Sequence, residues 1–143
     1  MPEFITKVEP RWSDMDVFKH VNHAAIVTLF EEARAGLLFV IAPRHGLTEF
    51  PKGLVLSKLT VEYKGQLKYT GGPVRAVVGI EQLRHASFVV RHALHTGIEP
   101  DSPVAVTGWT TLVPFDVPAQ RPRRLSGAER DFLAGYQAED SVA

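Results

Sequence analysis

The sequence predicts an α+β fold in which one antiparallel β-sheet wraps around a single long central helix. Three observations lead there. Residues 23–41 carry an apolar face that widens until the helix is apolar on nearly every side. Four strand-like segments follow, joined by connections too short for parallel crossovers, which need a dozen or more residues. A helix that is apolar nearly all round needs a curved sheet to bury it.

Residues 4–12 open the chain as a strand, with Phe4, Thr6 and Val8 alternating against Ile5, Lys7 and Glu9. The helix follows. Ile26, Leu29, Phe30, Ala33, Leu37 and Val40 form one face, and Thr28, Glu31, Glu32 and Arg34 the other. After Gly36 the run "LLFVI" is expected to be buried on all sides, and Pro43 and Gly46 are expected to end the helix. About 18 residues at 1.5 Å each reach roughly 27 Å, enough to cross a small domain.

The strand "LVLSKLTVEYK" is expected to put Val55, Leu59, Val61 and Tyr63 on one face, and "PVRAVVGIEQL" to align Val74, Ala76, Val78 and Ile80. "SFVVRHALHT" and "VAVTGWTTLV" are apolar on both faces for part of their length, as in the middle of a sheet. Trp12 and Trp109 read as core anchors. From Pro114 the chain turns proline-rich and basic. Ser126 with Glu129 is a capping-box pattern for a short terminal helix. The expected organisation is one domain over residues 1–115 and a peripheral tail over residues 116–143.

Hydrophobic residues make up 45% of the 143-residue chain and charged residues 22%, which argues for a globular domain rather than disorder. The net charge of zero weighs against general nucleic-acid binding, which needs a basic surface. With no cysteine, the sequence excludes disulfides, thiolate metal sites and a cysteine nucleophile. No apolar run approaches the ~20 residues that span a bilayer, and "MPEFITKVEP" lacks a signal-peptide core. No membrane association and a cytoplasmic location are expected.

The chemistry-bearing residues crowd just ahead of the helix: Asp14, Asp16, His20, Asn22 and His23. Three readings compete. Aspartate and histidine are suitable zinc or iron ligands, but His20 and His23 straddle Asn22, and no second cluster completes a shell. The residues could simply cap the helix, with Asn22 as N-cap and the acids favoured by its dipole. Or the site could be catalytic. Free amides at a helix start suit a developing oxyanion, and a carboxylate seven residues earlier could face the same space. A thioester fits that pairing, because a leaving thiol of pKa about 8.5 needs little acid help.

The arrangement Arg11-x-x-Asp14-x-Asp16-x-x-x-His20-Val21-Asn22-His23, followed by Glu31-x-Ala33-Arg34, resembles the hot-dog-fold acyl-CoA thioesterases, nearest to the 4-hydroxybenzoyl-CoA thioesterase group. The resemblance covers residues 4–113 and is specific over the loop and helix. It implies a hot-dog fold, hydrolysis of an acyl-CoA thioester, no cofactor, no metal, and a homodimer or homotetramer with the pocket between subunits. Asp16 matches the family's catalytic carboxylate, as nucleophile or general base. His23 matches a functional histidine whose backbone N–H would polarise the thioester carbonyl. Asn22 and His20 shape the loop, Asp14 is scaffold, and Glu31 with Arg34 matches a structural helix motif. Glu31 or Glu32 could instead carry the catalytic carboxylate that a second branch places on the helix.

Asn22 and Ser87 are further candidates for substrate contact, and Lys64, with Lys58, Lys68 and Arg91, for the coenzyme A phosphates. The family often has proline where this chain reads Gly65-Gln66-Leu67, so the shape of that turn is left open. His85, His92 and His95 read as surface or satisfied core histidines, with His92 and His95 on opposite faces of one strand. Two rival functions are a non-catalytic acyl-CoA-binding protein and a hot-dog enoyl-thioester hydratase. The hydratase requires a differently spaced aspartate–histidine pair.

Overall fold

A computed structural model describes residues 3–141. Residues 1, 2, 142 and 143, which the two expected segments include, lie outside the described residues. The chain forms β1 (Phe4–Val8), a 3-10 turn (Trp12–Asp14), the long helix α1 (His23–Ala35), then β2 (Leu54–Tyr63), β3 (Val74–Glu81), β4 (Phe88–His95), β5 (Val104–Asp116), the short β6 (Arg121–Pro122) and α2 (Gly127–Ala134). The sheet runs β1-β3-β4-β5-β2, every pair antiparallel, with β6 paired to β5. It curls around α1 as a half-barrel, the hot-dog arrangement that the sequence predicts.

Core formation follows the pattern of each element. Ile26, Leu29, Phe30, Ala33 and Leu37 of the helical segment are buried against the sheet face made by Val74, Ala76, Val78 and Ile80 of β3 and by Phe88, Val90 and Leu94 of β4. Fully burying one such side chain contributes about 1.5–3 kcal/mol.

Four expectations change. Pro43 does not end the helix. A π-helical turn (Gly36–Ile41), in which the Ala42 N–H reaches back to the Leu37 carbonyl, leads into a last turn (Ala42–Arg44), so the helical segment totals 22 residues. Proline is tolerated there because it opens a new turn instead of sitting mid-ladder. Phe39 and Val40 are 43% and 47% exposed, because the sheet covers one side of the helix and leaves the other open. A bulge between Leu56 and Lys58 breaks the alternation of β2, so Val55 does not share a face with Leu59, Val61 and Tyr63. Trp12 is 73% exposed, since β1 ends at Val8 and the chain turns outward before the tryptophan. Trp109 is buried.

The segment after Pro114 is tied to this body. Leu125 and Leu133 join the core cluster, and Ser126 and Glu129 form the expected capping box of α2. Burial pushes the Glu129 carboxyl up. The bidentate Arg123 guanidinium, at 2.8 and 3.0 Å, and the Ser126 N–H outweigh that and hold it below the usual carboxylate range.

One core residue carries a pH signature. His92 is fully buried, stacked on Phe30 at 4.9 Å between ring centroids, with Nδ1 donating to the Gly108 carbonyl at 3.2 Å. Burial, aided by the nearby Arg34 guanidinium, pushes its pKa from 6.5 to about 3. Between those values the unfolded chain binds a proton that the folded chain refuses. Stability from this group is therefore complete above pH 6.5 and falls as pH drops toward 3. The expected loss is about 2 kcal/mol on going from pH 7 to pH 5. Urea unfolding at both pH values checks it, with His92→Leu as reference. An equal acid loss in the variant would remove His92 as the cause.

Candidate active site

The loop between β1 and α1 is built around its two aspartates, which have different jobs. Asp14 is buried. Its carboxylate accepts from the Arg11 N–H at 2.8 Å and the Arg11 guanidinium at 2.9 Å, and its carbonyl accepts from the Asn22 N–H at 2.7 Å. Hydrogen bonding from Arg11 holds its carboxyl below the usual range despite burial. Asp14 is scaffold.

Asp16 is half-buried. Its Oδ1 accepts from the N–H groups of Phe18 at 2.8 Å and His20 at 3.2 Å. Its own N–H donates to the His20 carbonyl at 2.8 Å, closing a tight turn in which Lys19 takes a positive φ of 64°. Both donors fall on one oxygen. Oδ2 has no donor among the described residues, so it is available to an incoming group.

Asn22 caps α1 as expected, its Oδ1 accepting from the Ala24 N–H at 2.8 Å. His23 is the first helical residue, and its own N–H has no acceptor among the described residues. Asp16 and His23 line the same open groove of about 320 Å³, with Val21, Ile26, Tyr63, Lys64, Gly65, Gln66, Leu67 and Val106. The juxtaposition of acid and helix start that the spacing predicts is therefore real.

Of the far wall, sequence reading named Lys64 and left the shape of the Gly65–Leu67 turn open, and it missed Tyr63 and Val106. The turn after β2 is clamped on β5, with the N–H groups of Lys64 and Gly65 both donating to the Ala105 carbonyl at 2.8 and 2.9 Å. Leu67 accepts from the Val21 N–H at 2.7 Å, and Lys68 bridges to His20, so this turn and the acidic loop are stitched together. The glycine marks the turn in the sequence, while the turn's shape rests on these long-range bonds.

The remaining candidates fall as follows. Lys64 lies on the groove and is ion-paired with Glu62 at 3.4 Å. Ser87 stands beside Phe88, at the opposite end of β4 from the end that meets Val106, and does not line this groove. Arg91 is engaged by Glu3 and Glu81, each at 2.9 Å. Glu31 and Arg34 meet at 4.0 Å on the outer flank of α1, away from this groove. Among the described residues, no three histidine, aspartate or glutamate side chains converge as a metal site. No helix among them is long and apolar enough to cross a membrane.

A family model described as the thioesterase-like superfamily matches residues 10–133, most of the chain. The chain belongs to the thioesterase-like superfamily. Solved structures similar to this superfamily member include a predicted thioesterase from Bacillus stearothermophilus (23% identity, TM-score 0.79, covering 98% of this chain and 100% of that one). A thioesterase from Thermus thermophilus, solved in complex with coenzyme A and Zn, is 23% identical, with a TM-score of 0.75 over 93% of this chain and 92% of that one. A DHNA-CoA thioesterase from Staphylococcus aureus is 22% identical, with a TM-score of 0.73 over 95% of this chain and 89% of that one. At these identities the likeness is one of fold. No curated protein matches the chain.

Proposed function

We propose that this protein hydrolyses an acyl-CoA thioester to a free acid and coenzyme A at the Asp16–His23 groove. The observation that carries the reading is that Asp16, whose Oδ2 has no donor among the described residues, and His23, whose N–H has no acceptor among them, line a single groove. Membership of the thioesterase-like superfamily supports the reaction class.

In this scheme the thioester carbonyl oxygen accepts from the His23 N–H, aided by the positive end of the α1 dipole. Asp16 attacks the carbonyl carbon to form an acyl-enzyme anhydride, which water then cleaves to the free acid, or it takes a proton from a water that attacks the carbon directly. The carbon–sulfur bond breaks and coenzyme A leaves as its thiolate, which needs little protonation to depart. The His23 side chain, exposed beside the groove, holds the water or substrate. Asn22 keeps the helix start in place, and Lys64 meets the coenzyme A phosphates. The scheme calls on no metal or cofactor.

The working unit in this reading is a homodimer or homotetramer. Supporting it, β2 is a free sheet edge bearing exposed Val55, Leu56 and Leu59, with exposed Phe39 and Val40 on the helix beside it. The test is a panel of aliphatic and aromatic acyl-CoAs, with release of coenzyme A followed by a thiol-trapping dye. Turnover of at least one member is expected. Binding of acyl-CoA without turnover of any would favour the non-catalytic binding protein instead.

A further inference from the structure

Alternation makes Tyr63 one more apolar residue on the face of β2. Its hydroxyl instead donates to the backbone carbonyl of His23 at 3.1 Å, across forty residues of chain. It is the last residue of β2, immediately before the Lys64–Gly65 turn that forms the far wall of the groove, and it lines that groove itself. We propose that Tyr63 is a positioning residue that sets the first turn of α1, and with it the His23 N–H, at the distance from Asp16 that the reaction requires. The inference rests on the thioesterase reading given above.

The physical need is specific. The first turn of a helix lacks half of its ladder bonds, so its position depends on caps and on contacts with other elements. The acidic loop fixes this turn from one side. Asp14 holds the Asn22 N–H through its carbonyl, and Asn22 in turn holds the Ala24 N–H. The loop reaches the turn after β2 through the Val21 N–H and the Leu67 carbonyl, two residues before the helix starts, but that bond does not tie the helix's own first turn to β2. The Tyr63 hydroxyl supplies this link. It joins the residue that carries the free amide to the end of the strand whose following turn is clamped on Ala105. A transition-state hydrogen bond is sensitive to its donor's placement, and errors near 1 Å cost about 100-fold in rate. Partial burial raises the Tyr63 phenol above its usual pKa, so it remains a neutral donor at physiological pH.

The link acts on chemistry more than on binding or folding. Tyr63 is half-exposed and makes one hydrogen bond, so Tyr63→Phe should fold with a Tm close to the parent's. The expected result is a fall of about tenfold in kcat for the best acyl-CoA, with KM within about twofold and an unchanged pH–rate profile. Backbone amide exchange gives a readout independent of activity: the Ala24 and Ile26 N–H groups, both held by Asn22, should exchange about tenfold faster in Tyr63→Phe, while those of β4 stay as in the parent. Parent-like kcat, or parent-like exchange in that turn, would overturn the proposal. Loss of an alkaline limb in the pH profile of the variant would also overturn it, since that would make Tyr63 a proton donor to substrate. If the parent protein hydrolyses no acyl-CoA, the thioesterase reading fails, and the exchange measurement still decides whether Tyr63 holds the helix start.

Discussion

Asp16→Asn should lower kcat by about 1,000-fold or more on any acyl-CoA that the parent protein turns over, with Tm changed by no more than about 2 °C. The substitution is nearly isosteric. An asparagine oxygen can still accept from the Phe18 and His20 N–H groups, so the tight turn that shapes the loop survives. What it loses is the charge and the second carboxylate oxygen, the one with no donor among the described residues. An amide is neither a useful nucleophile toward a thioester nor a base toward water. A variant that turns over at the parent rate would sink the mechanism, and attention would pass to the helix carboxylates Glu31 and Glu32. A variant that loses activity and Tm together would show that Asp16 is scaffold, as Asp14 is.

Gly108→Ala should be strongly destabilising for a single added methyl, costing about 3 kcal/mol and lowering Tm by about 10 °C. Gly108 lies on β5 opposite His92 of β4, and the fully buried Phe30 ring rests directly over it. A methyl group built there would overlap Phe30 Cε2, Cζ and Cδ2. The ring cannot simply swing away, because it is also stacked on His92 at 4.9 Å. The strain therefore reaches Phe30, the His92 ring and the seat of α1 on the sheet. Thermal unfolding measures the effect, and adding Phe30→Leu to Gly108→Ala should recover part of the loss. A Tm equal to the parent's would mean that the Phe30 ring has room to turn aside.

Legibility in the sequence tracked the range of the interaction. Asn22 as N-cap and Ser126 with Glu129 as capping box were readable because the groups that satisfy each other lie two or three residues apart. β3 was readable because its face is set by alternation alone, and Val74, Ala76, Val78 and Ile80 are all buried. Alternation failed on β2, where one extra residue at the bulge moved Val55 to the other face. It failed again at Trp12, because where β1 stops depends on how far its pairing with β3 extends, and that ends at Val8. A glycine in the middle of a strand marks a close approach, yet nothing local says that the visitor is Phe30.

The candidate site divides the same way. The sequence alone determined that an acid stands seven residues ahead of a capped helix, because chain connectivity holds Asp16 near the turn that Asn22 starts. Which aspartate serves as scaffold was implied by the family resemblance, and the Arg11–Asp14 pair agrees with it. The tertiary structure alone decided what faces them. Tyr63, the Lys64–Leu67 turn and Val106 reach the groove because β2 pairs with β5 in one register and the sheet then curls back over α1. Register and curl are summed over many long-range contacts, so no short window of sequence carries them. The same curl leaves one flank of the helix and the β2 edge uncovered, turning apolar residues that read as core into exposed surface.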